Sequence, residues 1–309
     1  MLNLRPTNFS EFIGQEQTKK NLDIFIKSSI KQKKALDHIM IHGPSGLGKT
    51  SLAHIVGKQL NKKLFYLNGT SLQKPSDIIS PLTKIKENEI IFIDEIHAIN
   101  RDVIETLYPV LEDNFLSIII GKDYNSKAIN IKIPKFTLIG ATTEINKIPE
   151  PFLNRFPIIF YLTNYTNDEI EKIVKNSCKK IAMNIEDEAI LKISTYCKQN
   201  PRIANNLIQR VYDFYIMKDL NIIAKKDINN ILYELGIFKY GLSTIELDYL
   251  KILENKKSIS INTISQILNI PTKTLEINVE PILIKLNFIE KSTIGRKITS
   301  AGIEYIANC

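Results

Sequence analysis

The chain has 309 residues, 44% hydrophobic and 24% charged, which is a globular composition too long for one core and suited to two or three compact units. Its longest apolar runs, Ile90–Ile93 and Ile118–Ile120, are too short to cross a bilayer, and Met1–Pro6 lacks the apolar core of a secretion signal, so a cytoplasmic, non-membrane protein is expected. Cys178, Cys197 and Cys309 are widely spaced with no C-x-x-C, which supports neither a disulfide framework nor a zinc site, and the net charge of +8 is spread along the chain without a basic tail.

Leu4-Arg5-Pro6 and Phe12-Ile13-Gly14-Gln15 open the chain, and Leu22, Phe25, Ile26 and Ile30 then fall at helical spacing, as in an amphipathic core helix. Ile39–Ile41 leads into HGPSGLGKTS, His42 to Ser51, which fits G-x-x-x-x-G-K-T and precedes the helical pattern of Leu52, Ala53, Ile55 and Val56. An ordinary glycine-containing turn fits the bare pattern, but the strand-to-helix setting favours a phosphate loop. Gly43, Gly46 and Gly48 let backbone N–H groups converge on a polyphosphate, the helix N-terminus adds its positive end, Lys49 meets the β- and γ-phosphates, and Thr50 holds Mg²⁺. A helix to about Leu60 and a strand around Leu64–Leu67 complete a βαβ beginning.

The second chemical stretch is Ile90–His97, IIFIDEIH. Four apolar residues predict a buried parallel strand with Asp94 and Glu95 at its end, where ligands of open α/β sheets collect. Asp94 would orient the Mg²⁺ shell and Glu95 would polarise the water that attacks the γ-phosphate. Two acids ending a strand also fit a helix N-cap without chemistry, and their place after the phosphate loop favours the first reading. Asp-Glu-Ile-His also matches DExH helicases, which need two tandem motor cores; no second phosphate loop follows, and that reading is rejected on length.

Ile118–Ile120 and the alternating Ala128–Ile133, separated by GKDYNSK, predict a β-hairpin, either scaffold or a protrusion for a partner or DNA. Phe136–Ala141 predicts another buried strand ending in Thr142-Thr143, where a hydroxyl reaches the γ-phosphate or simply leaves the strand. In PEPFLNRFP, Arg155 reads as a solvated or paired arginine or as a phosphate sensor. Helices are predicted around 167–183, 187–198, 202–217 and 225–235, the third opened by Asn200-Pro201-Arg202, where Arg202 opposes the helix dipole and reads as a residue with a task outside the helix or as a plain surface residue. From Gly241 to Cys309, helices at Thr244–Leu253, Asn262–Leu268 and Thr272–Leu286, then Phe288-Ile289 and Lys297–Thr299 about a turn at Thr293–Gly295, predict an independent winged helix that binds DNA or packs on protein.

With these residues in view the chain resembles the RuvB family, AAA+ motors that drive branch migration of Holliday junctions. The resemblance rests on LRP, FIGQ, ALDHIMIHGPSGLGKTSLA, IIFIDEIH, LYPVLED, IPKFTLIGATT, NPRIANNLIQRV and EPILIKLNFIEKSTIGR, in order and nearly end to end. It implies an AAA+ P-loop parallel-sheet α/β core (1–162), an all-α lid (163–240) and a C-terminal winged helix (241–309). It also implies ATP and Mg²⁺, a homo-hexamer, duplex DNA at four-way junctions, a RuvA-like partner docked on the hairpin and a RuvC-like resolvase. Residue by residue, Lys49, Thr50 and Ser51 match phosphate and Mg²⁺ contacts, with Leu4, Arg5, Tyr165 and the Glu112-Asp113-Asn114 segment around the nucleotide. Asp94 and Glu95 match the acidic pair, Thr143 the sensor, Arg202 the lid arginine, and Arg155 the finger reaching a neighbouring subunit. Lys291 and Arg296 stand where the family has DNA-contacting arginines.

The departures are Ser45 for the usual Pro of GPPG, Asn154-Arg155-Phe156-Pro157 for Asp-Arg-Phe-Gly, and Ile294 for a wing arginine. Leu4-Arg5-Pro6 comes almost at once, without the family's common N-terminal tail. Two rivals stand beside this reading: a clamp-loader or initiator-like AAA+ ATPase, and an ATP-responsive winged-helix regulator that does not translocate.

Overall fold

The computed structural model describes residues 4–120, 127–254 and 258–308. These fall into two compact units, the first ending at Tyr165 and the second starting at Thr166. No helix among the described residues is long and apolar enough to cross a membrane.

The first unit runs α1 (Glu16–Gln32), β1 (Ile39–His42), α2 (Lys49–Gln59), β2 (Leu64–Asn68), α3 (Pro75–Lys84), β3 (Ile90–Asp94), α4 (Arg101–Asp113), β4 (Phe115–Ile120), β5 (Lys127–Lys132), β6 (Thr137–Thr142), α5 (Glu150–Leu153) and β7 (Ile158–Tyr161). Five strands form one sheet in the order β2-β3-β6-β1-β7, every neighbouring pair parallel. Ile90, Ile91, Phe92 and Ile93 are all fully buried, each contributing about 1.5–3 kcal/mol relative to exposure. That burial fixes the register, because a one-residue slip would move Asp94 toward the apolar layer. Pairings Asn68↔Asp94, Ile93↔Gly140 and His42↔Thr142 then bring the carboxyl ends of four strands to one edge.

The β4–β5 hairpin is a separate antiparallel pair, in register from Phe115↔Lys132 to Ile120↔Lys127, and its expected turn at 121–126 lies outside the described residues. Leu116 is buried at its base, while Phe115, Ile129 and Ile131 are exposed.

In the second unit α6 (Asn167–Lys180), α7 (Asp187–Thr195), α8 (Pro201–Met217) and α9 (Lys225–Glu234) stand where the periodicity predicts them. After a short pair, β8 (Ile237–Phe238) and β9 (Leu242–Ser243), come α10 (Thr244–Glu254), α11 (Ile261–Leu268), α12 (Thr272–Thr274), α13 (Glu280–Lys285), β10 (Ile289–Lys291), β11 (Arg296–Ile298) and α14 (Ser300–Ala307).

Two features differ from expectation. The single helix expected over Thr272–Leu286 is interrupted by a π-helical turn, Leu275–Val279. Pro281 accounts for it, since it has no N–H to return to the Ile277 carbonyl. Helix α14 was not anticipated; it closes the winged-helix core, with the Tyr305 ring 4.7 Å from that of Phe288 and its hydroxyl donating to the Lys239 carbonyl at 2.9 Å. The segment from Gly241 packs against the helices that precede it. Lys198 donates to buried Glu246 at 2.6 Å and Lys285 to Gln199 at 2.6 Å. Gly241 lies so close to the Tyr196 carbonyl that a Cβ would come within 2.2 Å, so helical part and winged helix form one compact unit.

Candidate nucleotide site and the wing

The phosphate loop joins β1 to α2 with Gly43, Gly46 and Gly48 at φ of 138°, 83° and 105°, values that side chains rarely adopt. Gly43 is also sterically required, because a Cβ there would meet the Leu162 carbonyl oxygen at 2.5 Å. Phe12 and Gln15 hold the loop's surroundings. The Phe12 ring packs against Gly48, and Gln15 donates to the Thr163 carbonyl at 2.7 Å. Tyr165 is buried and donates to the Leu47 carbonyl at 3.0 Å, and Leu4 is buried in the same unit.

Lys49 is buried, and its ammonium donates to the carbonyls of Gly43 and Pro44 at 2.7 and 2.9 Å. Burial lowers its pKa, opposed by the nearby negative charge of Glu95 and Asp94. The Thr50 hydroxyl donates to Asp94 Oδ2 at 3.1 Å, joining the first turn of α2 to the end of β3. Tyr66, on β2, donates to the same oxygen at 3.0 Å. Its phenol is raised above its ordinary pKa by burial and by this bond to Asp94.

Glu95 follows in the left-handed region, φ 49° and ψ 48°. That conformation costs on the order of 1–3 kcal/mol for a non-glycine residue. Gly69 packs against its backbone, where a Cβ would stand 2.2 Å from the Glu95 carbonyl oxygen. The carboxylate is thereby turned toward β6, where the Thr143 hydroxyl lies 3.4 Å from Glu95 Oε2. These parts fit a nucleotide with a divalent cation: loop amides and an ammonium for phosphate oxygens, a hydroxyl beside a carboxylate for a hard cation, and a second carboxylate beside a hydroxyl for water.

Arg155 belongs to a different group, built from α4 and the segment after α5. Its guanidinium pairs with Glu112, donates to the Pro151 carbonyl at 2.6 Å and lies 4.9 Å over the Tyr108 ring. Its Nε is buried and meets no hydrogen-bond partner among the described residues. Asp113 ends α4, and Asn114 caps it in the left-handed region at φ 57°. Arg202 is exposed in the first turn of α8, whose N-terminus Asn200 caps by accepting from the Arg202 amide at 2.9 Å.

In the wing, the two cations that the resemblance places at DNA-contacting positions differ in burial. Lys291 is exposed, 3.4 Å from Glu276 and 3.6 Å from Glu280. Arg296 instead is 7% exposed, with Nε donating to Glu280 Oε1 at 2.7 Å and NH2 donating to Glu276 Oε1 at 3.2 Å. Glu280 is buried and also accepts from Tyr249 at 2.8 Å. Burial pulls the Glu280 carboxyl upward, but the bonds from Arg296 and Tyr249 outweigh it and hold its pKa below the ordinary value. Sequence reasoning missed Tyr66, Glu280 and Tyr249. Tyr66 lies two residues before the end of a strand paired with β3, which is a register signal, whereas only packing reveals the other two.

Fold and site together define a P-loop ATPase of the AAA+ class, followed by a helical lid and a winged helix. The family model for the Holliday junction DNA helicase RuvB P-loop domain matches residues 4–162, the RuvB AAA lid model 165–237, and the RuvB C-terminal winged helix model 239–307. The chain is 42% identical over 306 residues to the Holliday junction branch migration complex subunit RuvB of Mycoplasmopsis pulmonis, covering 98% of this chain and 97% of that one. It is 38% identical over 309 residues to the subunit of the same description from Mycoplasma genitalium, covering 99% of each. The solved Thermotoga maritima RuvB Holliday junction branch migration motor superimposes with a TM-score of 0.83 at 32% identity, covering 98% of both chains. The chain belongs to the RuvB family.

Proposed function

We propose that this chain is an ATP-hydrolysing DNA motor that drives branch migration of Holliday junctions in recombination and repair. It acts in the cytoplasm as a homo-hexameric ring on duplex arms of four-way junctions, with a RuvA-like partner docked on the β4–β5 hairpin and a RuvC-like resolvase downstream. Its working parts are an ATPase domain (1–162), a lid (163–240) and a DNA-binding winged helix (241–309).

ATP lies against Gly43, Gly46, Gly48, Lys49 and Ser51, with Leu4, Arg5 and Tyr165 beside it and Glu112, Asp113 and Asn114 completing the site in the ring. Thr50 and Asp94 would hold Mg²⁺, which when bound neutralises charge on the β- and γ-phosphate oxygens. Lys49 exchanges its two carbonyl partners for phosphate oxygens, and Thr50 keeps Asp94 aimed at the same place. Glu95 orients the attacking water and accepts its proton, while the Thr143 hydroxyl fixes that water from the other side. Arg155 of one subunit stabilises charge developing on the nucleotide of the next, which ties hydrolysis to assembly. Arg202 passes the nucleotide state to the lid. Lys198–Glu246 and Lys285–Gln199 join the helical part to the winged helix, and through them the wing follows the lid. Lys291 meets DNA phosphate, and Arg296 holds the wing that presents it. Phosphate contacts dominate such a grip, as a motor must pass over any sequence.

The observation that carries this reading is the convergence of Lys49, Thr50, Asp94, Glu95 and Thr143 on one sheet edge, in a chain matched nearly end to end by RuvB models. The test is branch migration of a synthetic junction with ATP and a RuvA-type protein. The wild-type chain moves the branch point, and Glu95→Gln binds nucleotide without moving it. Opening of a protein ring without branch movement would make it a clamp-loader-like ATPase, and nucleotide-dependent DNA binding alone would make it a regulator.

A further inference from the structure

We propose that His97 is a positioning residue for ATP hydrolysis, holding the end of β6 against Glu95; the proposal rests on the role of Glu95 given above. His97 lies in the 3₁₀ turn Ile96–Ala98 that follows β3, with its ring largely buried between three oxygen-bearing side chains. Nδ1 is 2.9 Å from Thr142 Oγ1 and 3.3 Å from Glu95 Oε2, and Nε2 is 3.0 Å from Glu144 Oε2.

Donor and acceptor capacity limits how these contacts are used. The Glu144 carboxylate can only accept, so Nε2–H donates to it. The Glu144 amide donates to Thr142 Oγ1 at 2.9 Å, and the same oxygen shares a hydrogen bond with Nδ1. The result is a closed ring of hydrogen bonds that links the Glu144 amide, Thr142, His97 and the Glu144 carboxylate, each link polarising the next. The imidazole stands beside the Glu95 carboxylate, whose Oε2 accepts from the Thr143 hydroxyl at 3.4 Å.

Thr142 ends β6 and Thr143 follows at once, so pinning Thr142 fixes the distance between the sensing hydroxyl and the water-activating carboxylate. Glu144 also begins the segment that runs through α5 to Arg155. His97 is therefore the brace between the acid of one subunit's site and the strand end from which its arginine finger is carried. A misplacement of about 1 Å at such a centre can cost about 10²-fold in rate.

Steady-state ATPase kinetics with DNA, together with binding of a fluorescent ADP analogue, test this. His97→Ala is expected to lower kcat by up to about 10²-fold, with KM and ADP affinity unchanged. His97→Gln, which keeps a donor for Glu144, should recover most of kcat. Glu144→Ala should lower kcat by a similar factor, and the double variant should fall no further, as expected of residues acting as one unit. Should His97→Ala fail to fold, Glu144→Ala and His97→Gln carry the comparison. Wild-type kcat in His97→Ala or Glu144→Ala overturns the proposal, as does a parallel loss of ADP affinity or no rescue by Gln. Glu95→Gln is run beside them: if it hydrolyses ATP normally, the role of Glu95 fails, whereas its loss with an active His97→Ala removes the brace alone.

Discussion

The phosphate loop and the wing each present a buried cation, and the two differ in what the cation is bonded to. Lys49 donates to two backbone carbonyls, whose dipoles are small beside a phosphate charge, so it can change partners for a ligand. Arg296 is bound to Glu280, which is 1% exposed, and leaving would strand a carboxylate away from water. Arg155 stands between them. Its partner Glu112 is half exposed, an ion pair of the kind worth about 0–1 kcal/mol, so this pair holds Arg155 less firmly than Glu280 holds Arg296. What separates the three is whether the partner is a buried charge: Lys49 holds neutral carbonyls, Arg155 a half-exposed carboxylate and Arg296 a buried one.

Substitutions can break or sharpen that contrast. The largest effect is expected from Arg155→Ala, which should lower DNA-stimulated ATP turnover by about 10³–10⁵-fold while nucleotide binding persists. Mixing it with Glu95→Gln subunits should restore some turnover, because each supplies what the other lacks; normal hydrolysis by Arg155→Ala alone would end the intersubunit reading. Glu95→Gln comes next, with a loss of about 10²–10⁴-fold in kcat and unchanged nucleotide affinity.

At the wing, Arg296→Ala should destabilise the winged helix by up to about 3–5 kcal/mol, seen in denaturant unfolding followed from that unit, because buried Glu280 loses its guanidinium partner and keeps only Tyr249 and the more distant Lys291. A folded, stable Arg296→Ala protein with a weakened salt dependence of DNA binding would instead make Arg296 a phosphate contact. The same pair sets a pH response. Glu280 titrates below its ordinary value when folded, so its stabilisation is complete above the ordinary value of 4.5 and is lost as pH falls below it through the folded pKa. Acid titration of the wing in Glu280→Gln should lose that component. The smallest effect is expected from Lys291→Ala: a stability change of about 1 kcal/mol or less, with DNA affinity lowered evenly across sequences and the slope against log salt reduced by about one.

Much of the core was legible because its signals are local. The apolar run Ile90–Ile93 names a buried strand, Gly43 to Thr50 names the loop between a strand and a helix, and Asp94 with Glu95 can only end up where that strand ends. The lid helices follow in the same way from 3.6-residue periodicity. The wing was harder to read. Lys291 and Arg296 are both basic residues beside a turn, and nothing within five residues of Arg296 announces Glu280 or Tyr249. The π turn was hidden as well, since the pattern over Thr272–Leu286 is helical and only Pro281 marks where the ladder breaks.

The sequence by itself determined the parallel core, the order of its motifs and the chemistry of the phosphate loop, since these depend on short stretches whose glycines, apolar runs and charges act on near neighbours. Tertiary structure decided how the charges are used. It brought Tyr66 and Thr50 onto Asp94, closed a hydrogen-bond ring about His97, parked Arg155 on Glu112 and buried Arg296 against Glu280. Those pairings join residues 16 to 45 positions apart, and whether a charge is covered or left to solvent depends on what else packs there, which no local pattern encodes.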